Sequence, residues 1–126
     1  TDAHAKNYSL LLAGGGQVRL APLYDLISIL PYRHDPRRTR LAMKVGGEYV
    51  LQRIGKTHWE KAAAEWRLDR DLVFGRLSQM AESVPASIEG VLTRIPRSSE
   101  LEIAFLQRLT AQISRRAEEC VQEFKP

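Results

Sequence analysis

The stretch Thr1-Asp2-Ala3-His4-Ala5-Lys6-Asn7-Tyr8-Ser9 sets a carboxylate and a carboxamide five residues apart, with a histidine and a lysine between them. Directly after it, Tyr8-Ser9-Leu10-Leu11-Leu12, Gly14-Gly15-Gly16 and Gln17-Val18-Arg19-Leu20 read as two short strands joined by a glycine turn. Leu20-Ala21-Pro22-Leu23-Tyr24-Asp25-Leu26 then supplies a second carboxylate, Asp25. A hairpin returns the chain to where it began, so this order brings polar groups from two neighbouring backbone segments together. The glycines are read as a turn because no Gly-Lys-Ser/Thr follows them, as a phosphate loop would require.

Working outward, Leu41-Ala42-Met43-Lys44-Val45, Gly46-Gly47 and Glu48-Tyr49-Val50-Leu51 predict a second hairpin, with the glycine pair supplying positive φ. Between the hairpins, Tyr24 to Leu30 reads as a short helix ended by Pro31, with Asp25 able to cap it, and Arg33 to Arg40 as a basic, proline-containing loop. The second half is helical. Thr57-His58-Trp59-Glu60 has the pattern of a capping box, with Thr57 as cap and Trp59, Ala62, Ala63 and Trp66 on one face. Asp69 or Asp71 caps a second helix carrying Val73, Leu77, Met80 and Val84, and Pro85 is read as opening a third, lined by Ile88, Val91, Leu92 and Ile95. Ser99-Glu100-Leu101-Glu102 opens a long fourth helix with Leu101, Phe105, Leu109, Ile113 and Ala117 in steps of four, extended by Cys120, Val121 and Phe124. The fold class predicted is mainly α, with two small β-hairpins near the N-terminus and four helices after them.

The chain has 126 residues, 44% of them hydrophobic, enough for one packed domain. No apolar run of about 18 residues could span a bilayer, and residues 1–4 have no signal-peptide character. No membrane partner is expected. A single cysteine, Cys120, fits a reducing compartment, and a cytoplasmic location is the expectation. Cys120 lies on an apolar face and is read as packing rather than as a nucleophile. The net charge of +4 is spread among interleaved acids and bases, which says little about nucleic acid. His4, His34 and His58 lack metal-ligand spacing, so no zinc site is expected. Trp59 and Trp66 are read as core residues rather than a stacking platform. The chain opens on its most reactive cluster, without a methionine, and is expected to be a piece of a longer product.

The order carboxylate, carboxamide five residues on, hairpin, carboxylate is the order phosphoryl transfer to a hydroxyl uses. A base accepts the hydroxyl proton, an Asn holds magnesium, and an Asp beyond the hairpin holds it from the other side. Such chemistry asks for alignment and charge neutralisation, so its parts must converge. Thr1 to Ser9, Leu20 to Leu26 and Leu41-Ala42-Met43-Lys44 together resemble the signature of the HipA family of serine/threonine protein kinases. The likeness is dense over the first half, and from Trp59 onward it rests on the order and number of helices. It implies a kinase-like helical C-lobe over residues 1–126, with ATP and Mg2+ as cofactors. Asp2 would be the catalytic base, Asn7 and Asp25 the magnesium ligands, and His4, Lys6 and Tyr24 neighbours of the nucleotide.

Tyr24-Asp25-Leu26 stands where ordinary protein kinases have Asp-Phe-Gly, a departure that HipA-type enzymes share. No glycine-rich phosphate loop, ATP-anchoring strand lysine or partner glutamate can be assigned, so the N-lobe is expected to be absent from this chain and the fragment alone to be inactive. The resemblance further implies a toxin of a toxin–antitoxin pair. Its partners would be a small DNA-binding, HipB-like antitoxin, DNA only through that complex, and a protein substrate of the translation machinery such as an aminoacyl-tRNA synthetase. A different class of function also fits: a non-catalytic helical interaction module whose basic loop, with Arg33, His34, Arg37, Arg38 and Arg40 around Asp35, binds nucleic acid or an acidic protein.

Overall fold

The computed structural model describes residues 4–32, 35–96 and 100–124. Strands β1 (Leu10–Leu12) and β2 (Val18–Leu20) pair antiparallel, with Leu10 opposite Leu20 and Leu12 opposite Val18. Gly15 and Gly16, at φ +73° and +75°, make the turn between them, where Ala13 N–H donates to Gln17 O at 2.9 Å. Ala21 N–H, donating to Ser9 O at 2.8 Å, extends the pairing beyond the strands. Strands β3 (Arg40–Val45) and β4 (Glu48–Val50) form the second hairpin, antiparallel with an irregularity between Arg40 and Val45, and turn at Gly46-Gly47.

Among the described residues, three α-helices follow rather than four. Helix α1 (Lys56–Trp66) starts two residues earlier than the capping-box reading, with Thr57 as cap, places it. Gly55 is the cap: its N–H donates to His58 Nδ1 at 3.3 Å, and Lys56 N–H donates to Glu123 Oε1 at 2.9 Å. Thr57 is already helical. Arg67 ends the helix in the left-handed region at φ 58°. Helix α2 (Arg70–Leu92) is capped by Asp69, whose Oδ1 accepts Leu72 N–H at 2.8 Å.

Pro85 does not open a new helix; it lies inside α2. Proline there removes a backbone donor and costs about 3 kcal/mol in an isolated helix. The helix runs through because one apolar stripe is continuous across the site: Ala81 is buried, and Val84, Ile88 and Leu92 are half-buried. Met80, placed by its spacing on that stripe, is exposed, and the buried aromatic of α2 is Phe74. Helix α3 (Glu100–Phe124) packs along α2. Its Phe105, Leu109 and Ile113 are half-buried and Ala117 is buried, at the spacing of four that the sequence predicts. Ser99 and the side chain of Leu101 lie outside the described residues.

The core joins the second hairpin to α1 and to the end of α3. Val45, Ile54 and Ala62 are buried together, with Leu41 and Trp59 packed against them. Ala62 and Ala63 are almost wholly inaccessible, and their small side chains allow α1 to approach closely. Phe124 packs its ring on Phe74, centroids 5.3 Å apart, and edge-on to Trp59 at 6.4 Å. Trp66 meets Trp59 at 6.2 Å and is half exposed, so only Trp59 acts as a core residue. Among the described residues, no helix is long and apolar enough to cross a membrane.

Residues Tyr24 to Leu30 are not helical. Asp25 has φ +55°, and a left-handed residue at the second position stops a right-handed helix from forming. The side chains of Tyr24 and Asp25 are turned instead toward the segment that precedes β1. The stretch read as one basic loop also resolves into parts: Pro36–Arg38 is a single 3-10 turn and Arg40 begins β3. Arg33 and His34 lie outside the described residues.

Candidate functional site

His4 O accepts Asn7 N–H at 2.9 Å and Ala5 O accepts Tyr8 N–H at 3.3 Å, closing a 3-10 turn over Ala5–Asn7 just before β1. That turn directs Asn7 inward, and among the described residues it is one of two buried polar ones, 6% exposed. The β1–β2 hairpin then brings the chain back. Asn7 Nδ2 donates to Asp25 Oδ2 at 3.2 Å, linking residues 18 positions apart. One residue earlier, the Tyr24 hydroxyl donates to Lys6 O at 3.0 Å and lies 3.3 Å from Ser9 Oγ.

The hairpin return therefore does what its sequence order required. Asp25 pays for its place with a left-handed backbone, which costs roughly 1–2 kcal/mol for a residue with a Cβ. Aspartate is among the residues that tolerate this region best. Its carboxylate and the Asn7 carboxamide are hard oxygen donors, the donor set that suits Mg2+ bound jointly by protein and phosphate oxygens. The donor chemistry fits that ion.

Of the residues singled out from sequence, Asn7, Tyr24 and Asp25 meet. Lys6 joins them through its backbone carbonyl, and half-buried His4 through the carbonyl that closes the turn. Asp2 lies outside the described residues. Ser9 was quoted within the motif without a role, and the structure makes it a partner of Tyr24. Its position two residues after Asn7, directly before the strand that the hairpin pairs, was the available signal. In the basic stretch, Asp35 Oδ1 accepts Arg37 N–H at 3.0 Å, and its carboxylate stands 3.9 Å from the strongly exposed Arg38 guanidinium. Arg40 stacks over Tyr49, 5.1 Å from the ring centroid.

Residues 1–88 match the family described as HipA-like C-terminal domain. The chain belongs to that family. It is 29% identical over 117 residues to the serine/threonine-protein kinase toxin HipA of Shewanella oneidensis, covering 93% of this chain and 26% of that protein. It is 32% identical over 91 residues to Y4mE of Sinorhizobium fredii, whose name assigns it provisionally to the kinases, covering 72% of this chain and 21% of that one. Among solved structures, the complex of HipA, HipB and operator DNA from Shewanella oneidensis matches with TM-score 0.86 and 28% identity. That match covers 98% of this chain and 28% of the other. The HipA-type fold thus extends through the helical half, where sequence similarity alone was thin. The chain spans about a quarter of the length of the relatives it matches.

Proposed function

We propose that this HipA-type domain is the catalytic-loop-bearing C-lobe of an ATP- and Mg2+-dependent protein serine/threonine kinase. The observation that carries the reading is the Asn7–Asp25 contact across the hairpin, in a chain whose relatives include a named kinase toxin. ATP with magnesium supplies the transferable phosphoryl group and neutralises its charge. Asn7 and Asp25 would hold the ion through their side-chain oxygens. Asp2 would accept the proton of the substrate serine or threonine hydroxyl as its oxygen attacks phosphorus. His4, Lys6 and Tyr24 would flank the nucleotide.

The chain alone carries no assignable phosphate loop or strand lysine, so we expect it to be inactive without an N-lobe. By likeness to the HipA–HipB–operator complex, a HipB-like antitoxin is the expected partner, with DNA reached through it. A translation-related protein such as an aminoacyl-tRNA synthetase is the expected substrate class, and the cytoplasm the expected compartment.

The test is transfer of labelled phosphate from ATP, with magnesium, by the complete gene product and by its Asp2→Ala variant. Transfer should fall by about a hundredfold or more in the variant. Two folded, inactive proteins would instead favour the interaction module, in which replacing Arg37, Arg38 and Arg40 removes binding to nucleic acid or to an acidic protein.

A further inference from the structure

Tyr24 and Asp25 are consecutive, yet both side chains reach the same short segment across the hairpin. Consecutive residues in a strand point to opposite faces. They converge here because Asp25 is left-handed. The Tyr24 hydroxyl engages Lys6 O and Ser9 Oγ, on either side of Asn7, while Asp25 engages Asn7 itself. Half of the Tyr24 side chain is exposed, so ring burial is a minor part of its role. The hydroxyl ties it to residues 6–9.

A left-handed aspartate persists only where its surroundings over-determine it. The Asn7–Asp25 bond is one such constraint, but it ties up Asp25 Oδ2, one of the oxygens a cation would take. The Tyr24 contacts occupy none of them and can stay in place when metal binds. We propose that Tyr24 is a positioning residue: its hydroxyl, clasped by Lys6 O and Ser9 Oγ, keeps Asp25 in the left-handed conformation that sets its carboxylate against Asn7. The inference rests on the assignment of Asn7 and Asp25 as magnesium ligands and adds the group that preorganises them.

The experiment measures Mn2+ binding by electron paramagnetic resonance in the complete gene product with ADP, for the wild type and the variants Tyr24→Phe, Ser9→Ala and Asp25→Asn. Loss of one hydrogen-bonding hydroxyl should weaken Mn2+ binding about fivefold in Tyr24→Phe, and Ser9→Ala, which leaves the Lys6 contact, should weaken it about twofold. ADP affinity without metal should be unchanged in Ser9→Ala, and in Tyr24→Phe, whose ring stays beside the nucleotide, it should fall less than Mn2+ affinity. A wild type that binds no Mn2+, or an Asp25→Asn variant that binds it as well as the wild type, would remove the metal-ligand assignment itself. If Asp25→Asn loses Mn2+ while Tyr24→Phe retains wild-type affinity, the positioning role alone is overturned. It is also overturned if Tyr24→Phe loses metal-free ADP affinity to the same extent, which marks a direct nucleotide contact. Should Tyr24→Phe prove unstable, Ser9→Ala reads the same clasp, and an unchanged Mn2+ affinity there counts against it.

Discussion

The Glu123 carboxylate accepts the backbone N–H of Lys56 at 2.9 Å, so the last turn of α3 caps the first turn of α1 across 67 residues of chain. The first N–H groups of a helix have no partner within it, and a carboxylate there also meets the positive end of the helix dipole. Gly55 leaves room for this: a Cβ at that position would stand 2.7 Å from Glu123 Oε1.

Glu123→Ala should therefore lower unfolding free energy by about 0.5–2 kcal/mol, the range for loss of a helix cap. Gly55→Ala should destabilise by displacing the same carboxylate. Because both changes break one contact, the double variant should lose less than the sum of the two. Urea titrations of the four proteins give the answer, and strict additivity would mean that the contact contributes nothing.

Gly46 should be the least replaceable glycine. It sits at φ +54°, and a Cβ there would collide with the His58 backbone carbonyl of α1. At Gly47, φ +92°, a Cβ would meet only the flexible end of Lys61 at 3.4 Å. Gly46→Ala should cost more than about 2 kcal/mol, combining backbone strain with a rigid clash, and Gly47→Ala clearly less. Equal urea midpoints for the two variants would contradict the packing of α1 on this turn.

Glu48 gives the second hairpin a pH dependence. The N–H groups of Val50 and Tyr49 donate to its Oε1 at 2.8 and 2.7 Å and hold its carboxyl below the usual carboxylate range; Arg53 assists and desolvation opposes. A carboxyl depressed in the folded state lends stability above its unfolded pKa, and that stability is lost as pH falls through the folded value. Between roughly pH 5 and pH 3, the wild-type urea midpoint should fall more steeply than that of Glu48→Gln, which cannot titrate. Parallel slopes would show that another carboxylate governs the acid limb.

Asp25→Gly should separate stability from activity. Glycine relieves the left-handed strain while removing the carboxylate, so unfolding free energy should change by no more than about 1 kcal/mol. Phosphate transfer by the complete gene product should be lost. Retained transfer would exclude Asp25 from the site.

The hairpins were legible because their glycines sit where a tight turn demands positive φ, and the meeting of Asn7 with Asp25 followed from the return of the first hairpin. The long apolar stripe of α3 was legible for a similar reason, since a spacing of four admits one buried face. What was missed depends on information that is not local. Asp25 adopts its conformation because of side-chain contacts to residues 6–9, so the helix expected over Tyr24 to Leu30 had a suitable sequence and an unsuitable dihedral. Pro85 is tolerated because α3 supports both halves of α2. Gly55 displaced Thr57 as cap because the capping carboxylate comes from Glu123, at the far end of the chain. In the candidate site, residue types and order were readable, whereas the hydroxyl clasp of Tyr24 on Ser9 required the hairpin register to be known.

The first hairpin carries a colloidal consequence. Leu10, Leu12, Val18 and Leu20 are each more than half exposed, and among the described residues β1 and β2 pair only with each other. Bare apolar strands with open edges are sticky, and a net charge of +4 provides modest repulsion between molecules. Added salt screens that repulsion, and sulfate or phosphate strengthens apolar association besides. In concentrated solution the chain should thus salt out early, with the leucine-rich hairpin as the point of first contact.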